Sequence, residues 1–489
     1  MNSISSKIRN SFKSIISNPY IVNFTQFSYG PFVSMFIGFL IIPITTFLLT
    51  PEDYGKYSMY SMAFTAIIVI TSLGLDQAFI RFFNDVPTNE LPILAQQCVK
   101  MSFIALLIGS CIIIFFGDPI AIILFSQPSL YLLYILILNV LFQLFQTFPL
   151  QNLRMQQKAK RYSAVIIIQA ILRFTVTLGI LLLWKQSFEA LILSQFIVII
   201  LGIMVLVIIE KDFFLKFIGA FFKKNQYRFK SIDLLAFGIS FLPSFVVYTL
   251  FESIDKIALR KWASFEELGL YNAAFKFVMA LSLLNSIFVT FWTPLAYKKI
   301  QNPASSTFFK NAFVIVSFFL VTLSVILITS KDILIMIMHK RFSSAAEIIP
   351  CLVFVPILYT LSEIPVIYIN YSKKTFWHIP IALSALIANC VGNYILIPML
   401  GAKGAAISTG LSYIVFFSLR FIIGRYYFHV DHNVFNLFFK ITALFGFALF
   451  STLVPFTLIH LIVGLSIIIT ITLWDKKQLI TLFKSDSLQ

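Results

Sequence analysis

A chain of 489 residues that is 59% hydrophobic and only 12% charged, with a mean hydropathy of +0.92, has too little polar surface to cover a soluble globule. Its apolar runs are continuous and lack the alternation of barrel strands, so an all-α polytopic membrane protein is expected. The net charge of +17 is scattered among the loops in small groups, which fits the positive-inside rule and argues against a nucleic-acid partner.

The first residues are basic but have no apolar core long enough for a cleaved signal peptide. Ile4, Ile8, Phe12, Ile15 and Ile16 share a helical face against Lys7, Arg9 and Lys13, so 1–20 reads as an amphipathic interfacial segment. Windows of roughly 20 apolar residues then predict about 14 transmembrane helices. Six crossings, at about 21–49, 57–82, 92–116, 129–152, 162–184 and 187–209, make a first six-helix lobe over 21–210. A polar cytoplasmic linker is expected over 211–231. Six more, at about 233–261, 268–296, 308–330, 346–370, 376–398 and 404–424, make a second lobe over 232–426. Two extra helices at about 435–454 and 457–474, with a cytoplasmic tail, complete 427–489. Groups such as Lys158, Lys160 and Arg161, or Lys373 and Lys374, fall on one side, which predicts cytoplasmic termini.

The two halves echo each other. Glu52-Asp53-Tyr54-Gly55 followed by Tyr57 recurs 214 residues later as Glu266-Glu267-Leu268-Gly269 followed by Tyr271, and Pro149 recurs 216 residues later as Pro365. With an even number of crossings per unit, the repeats insert the same way up, related by a pseudo-twofold axis along the membrane normal. Pro31, Pro43, Pro243, Pro294, Pro356 and Pro365 interrupt crossings and can bend them.

Ionisable residues inside crossings carry the functional signal, because they are costly there. Arg173 lies about twelve residues into the fifth crossing, roughly 18 Å deep, with Gln169 one turn earlier. It suits a phosphate or carboxylate; the alternative is an Arg capped by carbonyls or paired with an acid of the bundle. Lys276 lies about eight residues into the eighth crossing, roughly 12 Å deep, and either shares an anion or snorkels outward. Glu252, Asp255 and Lys256 share a face near the outer end of the seventh crossing, as intrahelical pairs and a gate or as a solvated end. Asp76, Gln77 and Arg81 stand at the opposite end of the second crossing, as part of an inner gate or headgroup access, or as a structural ion pair. No deeply placed acid is recognised.

Catalytic and metal motifs are absent from the sequence: it has no phosphate-binding loop, and its five histidines lack ligand spacing. Cys98, Cys111, Cys351 and Cys390 have no paired spacing and read as packing residues. No catalytic residue, metal or cofactor is therefore expected.

Pro51-Glu52-Asp53-Tyr54-Gly55-Lys56-Tyr57, then Leu73-Gly74-Leu75-Asp76 with Arg81-Phe82, then Asp255-Lys256 before Leu268-Gly269-Leu270-Tyr271, resemble polysaccharide-biosynthesis flippases of the O-antigen or capsule type. These belong to the multidrug/oligosaccharidyl-lipid/polysaccharide exporter superfamily. The resemblance implies a V-shaped pair of lobes of the multidrug-exporter kind, in the bacterial inner membrane. It further implies alternating-access transport of a polyprenyl-diphosphate-linked oligosaccharide to the outer leaflet, with H+ or Na+ coupling. Arg173, Lys276 and Gln169 would then line a cationic substrate cleft. Expected partners are the lipid-linked substrate, membrane lipids and polysaccharide polymerase or export machinery. The competing readings are a multidrug/cation antiporter of the same superfamily, a peptidoglycan-precursor flippase and, from another class, a membrane glycosyltransferase or polymerase.

Overall fold

The computed structural model describes residues 19–222, 229–300, 306–428, 434–455 and 457–484. The expected interfacial helix carrying Ile4 to Ile16 lies outside the described residues. Among the described residues all regular structure is helical. Among the described residues, eleven helices are long and apolar enough to cross a membrane, and up to 13 spans result when each of two bent pairs counts as one. Large apolar side chains such as Leu183, Phe115 and Ile208 are 79–90% exposed, which is stable only with lipid as the solvent. The protein is a multi-pass membrane protein.

The chain forms two compact units, Met1–Ile41 with Met59–Val246 and Ile42–Ser58 with Val247–Gln489. In chain order, α1 spans Pro19–Leu48 and α2 Pro51–Ser72. Leu73 and Gly74 follow, both at positive φ (51° and 67°), and α3, Leu75–Phe82, leaves at a bend of 50°. Next come α4 (Leu91–Phe115), α5 (Gly117–Phe125), α6 (Leu130–Met155), α7 (Ala159–Leu183), α8 (Phe188–Ile209), α9 (Lys211–Phe222) and α10 (Ser231–Ile239).

The first unit is built around an apolar cluster that includes Leu75, Phe79, Cys98, Phe148, Val165, Leu206, Phe213 and Phe217. Two of those residues come from α9, where a polar linker was expected. Phe213, Phe214, Phe217 and Ala220 recur at helical spacing and are buried, so the charged positions between them form the outer face of an amphipathic helix packed on α4. The bend after α2 seats against α10. A Cβ on Gly74 would stand 2.1 Å from the Gly238 carbonyl oxygen, and one on Gly238 2.6 Å from that of Leu73. Two backbones in contact at a left-handed residue leave room for glycine alone.

The second unit continues with α11 (Leu242–Trp262), bent 43° from α10, so that Pro243 begins a helix instead of interrupting one. It is followed by α12 (Phe265–Met279), α13 (Ser282–Lys299), α14 (Ser306–Thr329), α15 (Lys331–Ile335), α16 (Ile349–Leu352), α17 (Phe354–Tyr371), α18 (His378–Tyr427), α19 (Val434–Leu453) and α20 (Leu458–Lys484). α18 covers two of the expected crossings. It reverses at Gly401 (φ 56°, ψ −132°), and Ser408 beyond the turn donates to the Asn389 carbonyl before it at 2.9 Å.

The sequence repeat has a structural counterpart inside the second unit. A Cβ on Gly55 would lie 2.0 Å from the Phe265 carbonyl oxygen, and one on Gly269 1.8 Å from that of Pro51. The four residues are related pairwise by the 214-residue offset, so the repeated glycines are the two halves of one reciprocal helix crossing. The residues that precede the repeat, Thr50 and Ser264, are offset by the same 214 residues and cap those helices. Thr50 donates to the Asp53 carboxylate at 2.6 Å and accepts from the Asp53 N–H at 3.1 Å, while Ser264 accepts from the Glu267 N–H at 3.2 Å.

Candidate functional site

The expected sites fall into contrasting surroundings. On α7, Arg173 is exposed, and no ion pair involves it among the described residues. Gln169, one turn earlier, turns inward instead. Its Nε2 is buried without a hydrogen-bond partner beside Gly202 of α8, where a Cβ would come within 3.0 Å of it. The two residues share a sequence spacing but not an environment.

Lys276 of α12 is half-buried, with its Nζ 4.8 Å from the Tyr54 ring centre and 5.5 Å from that of Tyr57. Both rings belong to the first turns of α2, which pack beside the N-terminus of α12. The lysine therefore reaches back toward the helix end and rests on aromatic faces. At the start of α3, Gln77 donates to Asp76 at 2.7 Å, whereas Arg81 at its end pairs with Asp85 at 3.0 Å on the exposed surface.

The charge cluster of α11 differs most from expectation. No ion pair joins Glu252 or Asp255 to Lys256 among the described residues. Glu252 is exposed and hydrogen-bonded by Tyr248 one turn earlier, and Lys256 is near enough to Lys276 for their charges to interact. Asp255 is 4% exposed and enclosed by three helices. Its Oδ2 accepts from the Tyr271 hydroxyl of α12 at 2.6 Å and from Thr409 of α18 at 2.8 Å, and its Oδ1 accepts from Asn393 Nδ2 at 2.7 Å. The expected solvated end or intrahelical pair is corrected here: Asp255 is a buried acid held by hydrogen bonds from two other helices.

Local structure explains the enclosure. Asp255 lies in register with Phe251, Ala258 and Leu259 on the buried stripe of α11, and Glu252 lies off it. Tyr271 follows the Ser264 cap by about two turns, and Asn393 and Thr409 stand about two turns either side of the reversal at Gly401. All four converge about 10 Å inside the same helix ends. Glu267 locks that end by accepting from the Ala402 N–H at 2.6 Å. Alongside, Ser408 donates to Asn389 Oδ1 at 2.8 Å, and Asn393 Oδ1 is buried without a partner. The result is a buried carboxylate surrounded by hydroxyl and amide donors, with one amide oxygen, Asn393 Oδ1, left unpaired beside it. A helical-stripe reading of α11 would have found Asp255, but its partners on α18 left no local signal.

Spans of this length, two of them bent at short breaks and one holding a buried carboxylate, define a polytopic α-helical membrane fold. The sequence profile of polysaccharide biosynthesis proteins matches residues 23–299, more than half of the chain, and the chain belongs to that family. Its fold is similar to that of the lipid II flippase MurJ in an inward closed conformation, with a TM-score of 0.66 and 15% identity over 93% of this chain and 99% of that one. It is also similar to an inward-facing multidrug resistance MATE family transporter of the MOP superfamily, with a TM-score of 0.53 and 13% identity over 86% and 95%. A mutant of the Vibrio cholerae MATE transporter VcmN gives a TM-score of 0.51 and 12% identity over 83% and 95%. No curated protein matches the sequence. The fold is that of the exporter superfamily named from the sequence motifs.

Proposed function

We propose that the protein is a flippase carrying polyprenyl-diphosphate-linked oligosaccharide repeat units from the cytoplasmic to the outer leaflet by alternating access, for O-antigen, capsule or exopolysaccharide synthesis. The observation that carries this reading is Arg173, an exposed guanidinium in the middle of α7 with no ion pair among the described residues. A permanent cation at that depth is expensive unless an anionic cargo meets it, and a diphosphate takes two hydrogen bonds from one guanidinium face. Family membership supports a glycan cargo, and the flippase-like fold supports a lipid-linked one. Asp255 is assigned as the coupling site for H+ or Na+: loading would neutralise the one carboxylate that Tyr271, Thr409 and Asn393 hold in place.

The multidrug/cation antiporter is the second reading, favoured by the same fold. Asp255 does not favour it, because an acid 4% exposed and enclosed by three donors admits a proton or a bare ion more readily than an organic cation. Deletion of the gene followed by sidedness analysis of lipid-linked oligosaccharides tests the proposal. Complete repeat units should accumulate on the cytoplasmic face; unpolymerised units on the outer face would point to a polymerase and end the flippase reading.

A further inference from the structure

The structure holds a second polar site, away from Arg173 and Asp255, at the basic end of the first unit. A cavity of about 560 Å³ opens where α6, α7, α8 and α9 end or begin. Its lining includes Asn152, Lys158, Arg161, Glu210, Lys211 and Lys216. Glu210 is buried and already engaged: Lys158 Nζ lies 3.0 Å from one of its oxygens and Arg161 Nη1 2.7 Å from the other. These contacts fix two cations at the rim, and the remaining guanidinium donors of Arg161 stay available on a side chain that is 56% exposed. Lys211 and Lys216 are exposed and take part in no ion pair among the described residues.

An independent feature points to a ligand. Asn152 is 0% exposed; its Oδ1 accepts from Gln156 Nε2 at 3.0 Å, but its Nδ2 has no partner, although the residue lines the cavity. A buried donor is left unpaired at a cost that an acceptor in the cavity removes. Counting the lining charges, Lys158, Arg161, Lys211 and Lys216 outweigh Glu210 and Asp212 by four to two, so the acceptor should be an anion. The surroundings indicate what carries it. Ile208 on the cavity wall and Leu215, Ile218 and Phe222 along α9 are exposed apolar side chains, forming a lipid-facing border beside the cations. The positive-inside rule assigns such a basic end to the leaflet facing the cytoplasm, where anionic lipids interact with basic side chains.

We propose that this cavity binds the phosphate of an anionic phospholipid headgroup, with its acyl chains along Ile208 and Leu215, as a lipid site distinct from the transport cargo. The full-length protein, purified in detergent and titrated with phosphatidylglycerol, should retain one tightly held lipid in native mass spectrometry, and phosphatidylcholine should not replace it. The double variant Lys211→Gln/Lys216→Gln changes only exposed side chains and should weaken that retention on the order of 10- to 30-fold. Asn152→Leu should weaken it too, and a melting curve separates that loss from misfolding. Equal retention of phosphatidylglycerol by wild type and the lysine variant overturns the proposal. So does displacement of the lipid by millimolar inorganic phosphate with the same lysine dependence, which would make the site one for free phosphate.

Discussion

Arg173 and Asp255 are both charges set inside spans, and the fold treats them in opposite ways. Asp255 is held by Tyr271, Asn393 and Thr409 from two other helices, and every oxygen of its carboxylate has a donor within 2.8 Å. Arg173 stands exposed on α7, and even its neighbour Gln169 turns away from it. A buried charge with several hydrogen bonds is part of the bundle's own packing, and removing it harms the fold. An exposed charge without an ion pair does little for the fold, so its presence in a span has to be explained by what it meets during function.

That contrast breaks most sharply at Asp255. Asp255→Leu should strip the shared acceptor from three buried donors, lowering stability by about 3–5 kcal/mol, read as a fall in the melting temperature of the detergent-solubilised protein. Asp255→Asn keeps the shape and most of the hydrogen bonding, and should leave a folded transporter whose glycan export no longer responds to the proton or sodium gradient. An ion response preserved in Asp255→Asn would remove Asp255 from coupling.

Tyr271→Phe and Thr409→Val probe the same cage more gently. Each removes one hydrogen bond to a charged acceptor, expected at about 1.5–3 kcal/mol, and the double variant should be non-additive because both hydroxyls meet the same Oδ2. Additive losses in a double-mutant cycle would mean that the two hydroxyls act independently.

At Arg173 the expectation reverses. Arg173→Gln should shift stability by no more than about 0.5 kcal/mol, as for other exposed positions, yet reduce export of the glycan on the order of tenfold or more by loss of a bidentate phosphate contact. Arg173→Lys should recover part of that export. Unchanged export with normal expression would remove Arg173 from the cargo path. Lys276→Gln should lower stability by about 0.5–2 kcal/mol through loss of the cation–π contacts with Tyr54 and Tyr57, with little effect on export; a larger loss of export than of stability there would give Lys276 a cargo role beside its packing role.

Much of the architecture is readable along the chain, because the bilayer makes each span a local property. A run of apolar residues must satisfy its backbone within itself, so length and hydropathy locate helices such as Leu91–Phe115 and Phe188–Ile209 directly. The Thr50 and Ser264 caps and the glycines at 55 and 269 likewise mark the duplicated helix starts by short-range chemistry. The helix Lys211–Phe222 was missed because scattered charges conceal a buried stripe of Phe213, Phe214 and Phe217 that only its packing against α4 makes plain.

Tertiary structure alone decided which charges are enclosed. The donors to Asp255 from α18, Asn393 and Thr409, lie 138 and 154 residues from it, and reach it only because the chain reverses at Gly401. Burial and hydrogen bonding depend on what packs opposite a side chain, and nothing in the residues flanking Asp255 records that. The sequence by itself thus determined a polytopic helical membrane protein with a repeated helix start and with cations unusual in their depth. The three-dimensional packing determined that Asp255 is enclosed and that Arg173 is left open, since only long-range contact distinguishes a charge that the fold holds from one that it presents.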